Sequence, residues 1–208
     1  MRMLKKLIAP SIAKPVSSFM KFVCYFVILF YILCLTLSFM GRQTFFLHTS
    51  TGTYERAIYA EENHAPSSRS MTVHTGDDIH VRANANDQID LTTHLGLSLM
   101  HAVHTVPLIF AFWLLSRVFS NINKGEIFTE RNALYLLYYG ALQLFAAIFV
   151  PFLKLFLCHL VNLISDSQIS ISIGQGMLKG IVPNIAFIVA AYIIHYGIYL
   201  QDEVDHTL

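Results

Sequence analysis

Four long apolar stretches divide the sequence, and none of them contains Asp, Glu, Lys or Arg. They cover residues 22–41, 91–116, 132–153 and 180–201. A helix needs about 20 apolar residues to cross the hydrocarbon core of a bilayer. The pattern therefore predicts an all-α integral membrane protein with four transmembrane helices. Their predicted limits are 20–41, 95–116, 132–153 and 180–200.

The first stretch is longer than the apolar core of a signal peptide, which has about 7–15 residues. No small-residue cleavage site follows it, because the chain continues as SFMGRQ from Ser38. We therefore interpret this stretch as an uncleaved transmembrane helix.

The overall composition agrees with the apolar pattern. Hydrophobic residues make up 55% of the 208 residues and charged residues 13%, and the mean hydropathy is +0.54. Soluble domains carry about 25% charged residues. This composition excludes a soluble globular enzyme, a disordered chain and a secreted disulfide scaffold. We interpret residues 1–208 as a single membrane domain. The net charge of +1 gives no sign of direct nucleic acid binding.

Basic residues are unevenly distributed over the connections between the stretches. Five basic residues and no acidic ones precede residue 22, whereas seven acidic residues accompany four arginines in segment 42–94. Lys and Arg are enriched in short cytoplasmic connections. This predicts that the N-terminus, the 117–131 connection and the 201–208 tail are cytoplasmic. Segments 42–94 and 154–179 are then extracytoplasmic.

The first outer segment contains an alternating pattern close to its end. Apolar and polar residues alternate around Val73 and again around Ile79 and Val81, and Gly76-Asp77-Asp78 between them favours a turn. We predict a β-hairpin near 71–83 and a loop before it, up to about Arg69. His74 and His80 would share its polar face, where surface histidines are commoner than metal ligands.

The second outer segment adds a further strand signal. Isoleucines recur at every second position in 168–173, which is typical of a half-buried strand. An isolated hairpin is only marginally stable in water. We therefore predict a small extracytoplasmic β-element that joins both outer segments. Apolar residues also continue past Lys154, so the third helix is expected to reach from Asn132 to Ile164, about 50 Å.

Three histidines of the second stretch could carry chemistry. His94, His101 and His104 fall within about 80° of one another on a helix. They could bind haem, zinc or a proton. Alternatively, His94 and His101 lie near the outer interface and His104 hydrogen-bonds to a neighbouring helix. His159 and His195 stand singly in their stretches, and we interpret them as structural.

The sequence lacks recognisable catalytic motifs. It has no G-x-S-x-G, H-E-x-x-H or C-x-x-C pattern. No charged residue lies at the centre of a stretch, although ion-coupled transporters normally have one. We therefore predict that the protein is not an enzyme and assign no catalytic, cofactor-binding or metal-binding residue.

The connection between the second and third stretches has clear local signals. Gly125 is placed to end a helix in the left-handed conformation, and Thr129 is placed as the N-cap of the next helix. Asn132 stands where a capping box would have Glu or Gln. Ile127 and Phe128 form an apolar pair, which acts as a hydrophobic staple or enters the lipid interface. The connection is either a capped helical hairpin or a docking surface for a partner.

Two parts of the sequence resemble a bacterial membrane-protein family of unknown function, DUF2975. The connection NINKGEIFTERN is similar to the family's hallmark, and the ending YGIYLQDEVDHTL is similar to its close. The matching residues are Gly125, Glu126, Ile127, Phe128, Thr129 and Asn132, then Gly197, Leu200, Gln201, Asp202, Glu203, Asp205 and Thr207. His206 and Leu208 depart from the pattern. The resemblance covers residues 20–208.

The resemblance implies a role rather than a reaction. Genes of this family often stand beside a small helix-turn-helix regulator. The resemblance thus implies a multi-pass protein of the bacterial inner membrane, in contact with the lipid bilayer. Its implied role is signalling, as the membrane partner of such a regulator. The docking residues would be those of the connection together with Gln201, Asp202 and Glu203. Two alternatives stay open: an immunity or envelope-stress protection protein that binds in the membrane, and a haem or metal protein.

Overall fold

A computed structural model of the chain describes residues 10–57, 71–75, 77–85, 88–172 and 177–207. Four helices form most of it: α1 (Pro10–Phe39), α2 (Leu91–Asn123), α3 (Glu130–Ile164) and α4 (Met177–Thr207). Each contains a segment long and apolar enough to cross a membrane. The four helices predicted from the apolar stretches are therefore confirmed, and all four are longer than the stretches themselves.

The third helix is continuous over the full range expected for it. α3 has 35 residues and includes Pro151, so it extends about 52 Å at 1.5 Å per residue. Lys154 lies inside this helix, and its ammonium group forms an ion pair with Asp77. The pairing explains how a lysine is accommodated in an otherwise apolar helix.

Four short strands form one mixed sheet. They are β1 (Thr44–Thr49), β2 (Gly52–Ala57), β3 (Asp78–Arg82) and β4 (Gln168–Ser172), in the order β2-β1-β3-β4. β1 pairs antiparallel with β2 and parallel with β3, and β4 pairs antiparallel with β3. The prediction that a strand from the second outer segment joins the first segment is confirmed. Ile173, the last residue of that predicted strand, lies outside the described residues.

The predicted hairpin near 71–83 is wrong. Both edges of β3 are occupied, by β1 and β4, so residues 71–75 cannot pair with it. Val73 makes only an isolated parallel bridge to Gln43. The hairpin of this sheet is instead β1–β2, in a region that was predicted to be loop. Its turn uses Gly52 at a positive φ of 153°, a backbone conformation that glycine tolerates.

The described chain divides into two compact units, each with its own core. The sheet unit contains Tyr31–Val106 and Ala147–Met177. One face of its sheet is apolar and packs on buried residues of α2 and α3. The members of this core are Phe45, Leu47, Ile79, Val81, Leu97, Met100, Cys158, Val161 and Ile169. Burying each large apolar side chain stabilises the fold by about 1.5–3 kcal/mol, so the short strands depend on these helices for stability.

The helical unit contains Met1–Phe30, Pro107–Ala146 and Leu178–Leu208. Its core comprises Cys24, Ala111, Leu115, Val118, Leu136, Tyr139 and Ala191. The ring of Tyr139 meets the ring of Phe187 edge-on, with centroids 4.7 Å apart. The prediction of a single membrane domain over 1–208 stays a prediction.

α3 and α4 approach each other closely within the helical unit. A Cβ placed on Gly140 would stand 2.8 Å from Cγ1 of Ile188 and 3.1 Å from the carbonyl oxygen of Asn184. Only a residue without a side chain fits such a gap. Gly140 therefore sets the distance between these two helices.

Candidate functional site

Asn132 fixes the connection between α2 and α3. Its side chain is fully buried and accepts a hydrogen bond of 2.8 Å from Nδ2 of Asn121. Its own Nδ2 donates to the carbonyl oxygens of Glu126 and, at 3.0 Å, of Ile127. One buried amide thus ties the end of α2 to two successive peptide groups of the connection.

The two helix ends beside Asn132 follow the predicted capping rules. Gly125 has a positive φ of 90°, its N–H donates to the carbonyl of Ile122, and the N–H of Glu126 donates to the carbonyl of Asn121, both at 3.0 Å. This pair of bonds is the Schellman termination. Thr129 caps α3, because its Oγ1 accepts from the N–H of Asn132 at 3.3 Å. The left-handed Gly125 and the Thr129 cap are confirmed.

The apolar pair of the connection is held at the surface. The exposed fraction is 42% for Ile127 and 58% for Phe128. The Phe128 ring nevertheless contacts α4, because a Cβ on Gly197 would lie 3.5 Å from its Cδ1. The connection and the end of α4, which the family resemblance singled out separately, therefore meet at Phe128 and Gly197.

The acidic end of α4 is described only in part. Glu203 is exposed in the last two turns of α4. The side chains of Gln201, Asp202, Asp205 and Thr207 lie outside the described residues, as does Leu208. The predicted docking role of this tail stays a prediction.

The three histidines of α2 do not converge on a common centre. His94 is buried, and its Nε2 lies 3.3 Å from the carbonyl oxygen of Ser38. His101 contacts the hydroxyl of Thr105 one turn along the same helix, and His104 is exposed. Within the described residues, no group of three His, Cys, Asp or Glu side chains could hold a metal ion. The contact with a neighbouring helix is made by His94, on Ser38 of α1, whereas it was expected of His104.

The sheet pairs histidines differently from the sequence prediction. His80 pairs with His48 of β1, with Nε2 of His48 2.9 Å from Nδ1 of His80. The ring centroids are 5.2 Å apart. At these two distances, each ring points its nitrogen directly at the nitrogen of the other ring. The two nitrogens are therefore hydrogen-bonded to each other and do not share a metal ion. His74 instead lies 3.2 Å from the hydroxyl of Thr44.

The site has features that sequence reasoning missed. The imperfect capping box at Asn132 is an anchor whose amide reaches back to the peptide groups of the connection. Its partners lie up to eleven residues away, beyond the range of local capping rules. The meeting of Phe128 with Gly197 had no local signal either, although both residues belong to the two quoted motifs.

These features define a class of protein: a mostly helical chain with a small mixed sheet and four helices long and apolar enough to cross a membrane. The chain belongs to the DUF2975 family, since the sequence model described as "Protein of unknown function (DUF2975)" matches residues 81–208. The match starts within β3 and includes α2, the connection, α3 and α4. The resemblance stated from the connection and the tail is thereby confirmed. No curated protein and no solved structure matches the chain.

Proposed function

We propose that this protein is a multi-pass protein of the bacterial inner membrane that docks a cytoplasmic regulator of the helix-turn-helix class. The docking surface is segment 124–129 of the connection. One observation carries the proposal: Ile127 and Phe128 are exposed on a segment that Asn132 holds in one conformation. Exposed apolar side chains on a rigid loop are typical of binding surfaces.

The rigidity of the connection favours binding. A segment that is already ordered loses less conformational entropy when a partner docks on it. An exposed aromatic side chain that becomes buried at the centre of an interface often contributes 2 kcal/mol or more, about 30-fold in affinity. Glu126 is exposed beside the apolar pair and adds a negative charge to the surface. The regulator class comes from the family resemblance alone, as an association.

The proposed topology rests on the distribution of Lys and Arg. The N-terminus, the 117–131 connection and the 201–208 tail are cytoplasmic, and segments 42–94 and 154–179 lie outside. Alkaline phosphatase fused after Thr51 should be active, because this enzyme works only outside the cytoplasm. A fluorescent protein fused after Leu208 should fluoresce, because it folds only inside. The reverse pattern would contradict the orientation.

The docking proposal is tested by crosslinking in cells. A photoreactive amino acid replaces the exposed Lys124, and captured proteins are identified by mass spectrometry. Wild type should capture a helix-turn-helix regulator, and Phe128→Ala should lose it. Phe110→Ala is the matched control, because Phe110 of α2 has the same exposed fraction of 58%. Equal capture by Phe128→Ala and wild type, or no regulator at all, would contradict the proposal.

A further inference from the structure

A cleft of about 360 Å³ lies between α3 and α4 in the helical unit. Of the described residues that line it, four are apolar and three are polar. They are Ala133, Leu134, Leu137, Ala191, Glu130, Tyr192 and His195. This volume lies within the range of about 300–1,000 Å³ that is usual for ligand sites, which are mostly apolar with a few polar groups.

The cleft has a polar end and an apolar end. Phe128 contacts α4 at Gly197, whereas Gly140 contacts it at Ile188, so the two helices run antiparallel. Glu130 of α3 therefore lies at the level of His195 of α4. Leu134 and Leu137 follow further along α3, towards Gly140. Tyr192 lies about one turn of α4 before His195, close to the level of Leu134. A molecule that fits this cleft must therefore be polar between Glu130 and Tyr192 and apolar beyond them.

The charges identify the polar group. Among the lining residues that the structure describes, Glu130 is the only Asp, Glu, Lys or Arg, so the cleft favours a cation at this end. Tyr192 offers a hydroxyl and His195 a ring nitrogen, both of which can donate to a phosphate oxygen. An ammonium group next to a phosphate would satisfy all three side chains. Leu134 and Tyr192 are 47% and 65% exposed, so the cleft is open to its surroundings.

We propose that this cleft binds a membrane lipid with a primary ammonium headgroup. The ammonium lies at Glu130, the phosphate at Tyr192 and His195, and an acyl chain along Leu134 and Leu137. A lipid is the occupant because the apolar lining belongs to segments able to span the bilayer, and the bilayer consists of amphiphilic molecules. The inference rests on the proposed membrane insertion but not on the docked regulator.

The test measures lipid selectivity of the purified full chain. The protein in mild detergent is mixed with equal amounts of phosphatidylethanolamine and phosphatidylglycerol, and bound lipid is counted by native mass spectrometry. Wild type should retain phosphatidylethanolamine about 1.5-fold to fivefold in preference, which is the range of one exposed ion pair. Glu130→Gln should remove this preference, and Glu130→Lys should reverse it. Glu126→Gln, an exposed glutamate outside the cleft, is the matched control and should keep the preference.

A second variant separates the headgroup charge from the phosphate. Tyr192→Phe removes only the hydroxyl and should weaken both lipids by the same factor, because both carry a phosphate. Equal retention of the two lipids by wild type would overturn the proposal, as would the absence of bound lipid. Loss of preference in Glu126→Gln would also overturn it, since the selectivity would then come from general charge. None of these measurements needs the regulator, so failure here is distinguishable from failure of docking.

Discussion

Replacing Asn132 with alanine should loosen the connection without unfolding the helices around it. The buried amide makes three hydrogen bonds, one with Asn121 and two with the carbonyls of Glu126 and Ile127. Alanine is a good helix former and fits the first turn of α3, so helix propensity does not oppose the change. The effect should therefore report the lost hydrogen bonds.

The free energy lost in Asn132→Ala depends on whether water can replace the three hydrogen bonds. A neutral hydrogen bond contributes about 0.5–1.5 kcal/mol in net terms. Glu126 and Ile127 are exposed, so water can reach their carbonyls and the loss lies in the lower part of that range. We expect a total of about 2 kcal/mol, which is about 30-fold in the opening equilibrium of the connection.

Hydrogen exchange of the connection measures this opening directly. The N–H groups of Gly125 and Glu126 are bonded to carbonyls of α2, so their exchange requires opening. In Asn132→Ala these amides should exchange about 30-fold faster than in wild type. Asn121→Ala removes only one of the three bonds and should give about a fivefold change.

Asn132→Asp tests the two hydrogen bonds to the carbonyls more directly than alanine does. It keeps the shape of the side chain but places an oxygen against two carbonyl oxygens, so it should open the connection at least as much as alanine. Unchanged exchange in both Asn132 variants would refute the view that this amide holds the connection.

Three further predictions test the helix packing, the backbone at Gly125 and the electrostatics of Asp90. Gly140→Ala must push against Ile188 and should lower the free energy of unfolding by about 1–3 kcal/mol, measured by thermal unfolding. Gly125→Ala has no neighbour within 4 Å but keeps a left-handed backbone, so it should lose about 1–2 kcal/mol. Burial of Asp90 opposes its ionisation, but hydrogen bonds from Thr93 and nearby serines outweigh this and hold its pKa below the ordinary value. Its stabilising effect should be complete above about pH 4, the unfolded pKa, and disappear as pH falls through the lower folded pKa; Asp90→Asn should remove that acid dependence from unfolding curves measured against pH.

The helices were predictable because their signal is long and redundant. Each of the four uncharged stretches is long enough to span a membrane, and this can be seen from the stretch alone, without its tertiary contacts. The ends of α2 and α3 at the connection were predictable for a different reason. Gly125 and Thr129 act on their own backbone and on residues three or four positions away, so the local sequence contains the whole interaction.

The sheet was predictable only where one strand carried a clean alternation. β4 has isoleucine at every second position, and Ile169 is buried as expected. In β1 the pattern is broken, since Phe46 follows the buried Phe45 and belongs to the other face, where it stacks on His80 at 5.1 Å. Pairing of β1 with β3 joins residues more than thirty positions apart, and no local pattern specifies such a register. The turn signal at Gly76 to Asp78 therefore predicts a hairpin at 71–83, whereas the hairpin of this sheet is β1–β2.

The proposed docking surface and the proposed lipid cleft both depend on the alignment of α3 with α4. Variants that change this alignment can therefore be compared with variants that change only one of the two sites. Phe128 meets Gly197 at one level of the helix pair, and Gly140 meets Ile188 at another. A substitution at Gly140 that moves the helices apart should therefore disturb the docking surface and the cleft together. Phe128→Ala should affect only the partner, because Phe128 does not line the cleft. Glu130→Gln should affect only the lipid, because Glu130 lies outside the proposed docking surface at 124–129. Loss of both functions in either single variant would mean that the two sites are one.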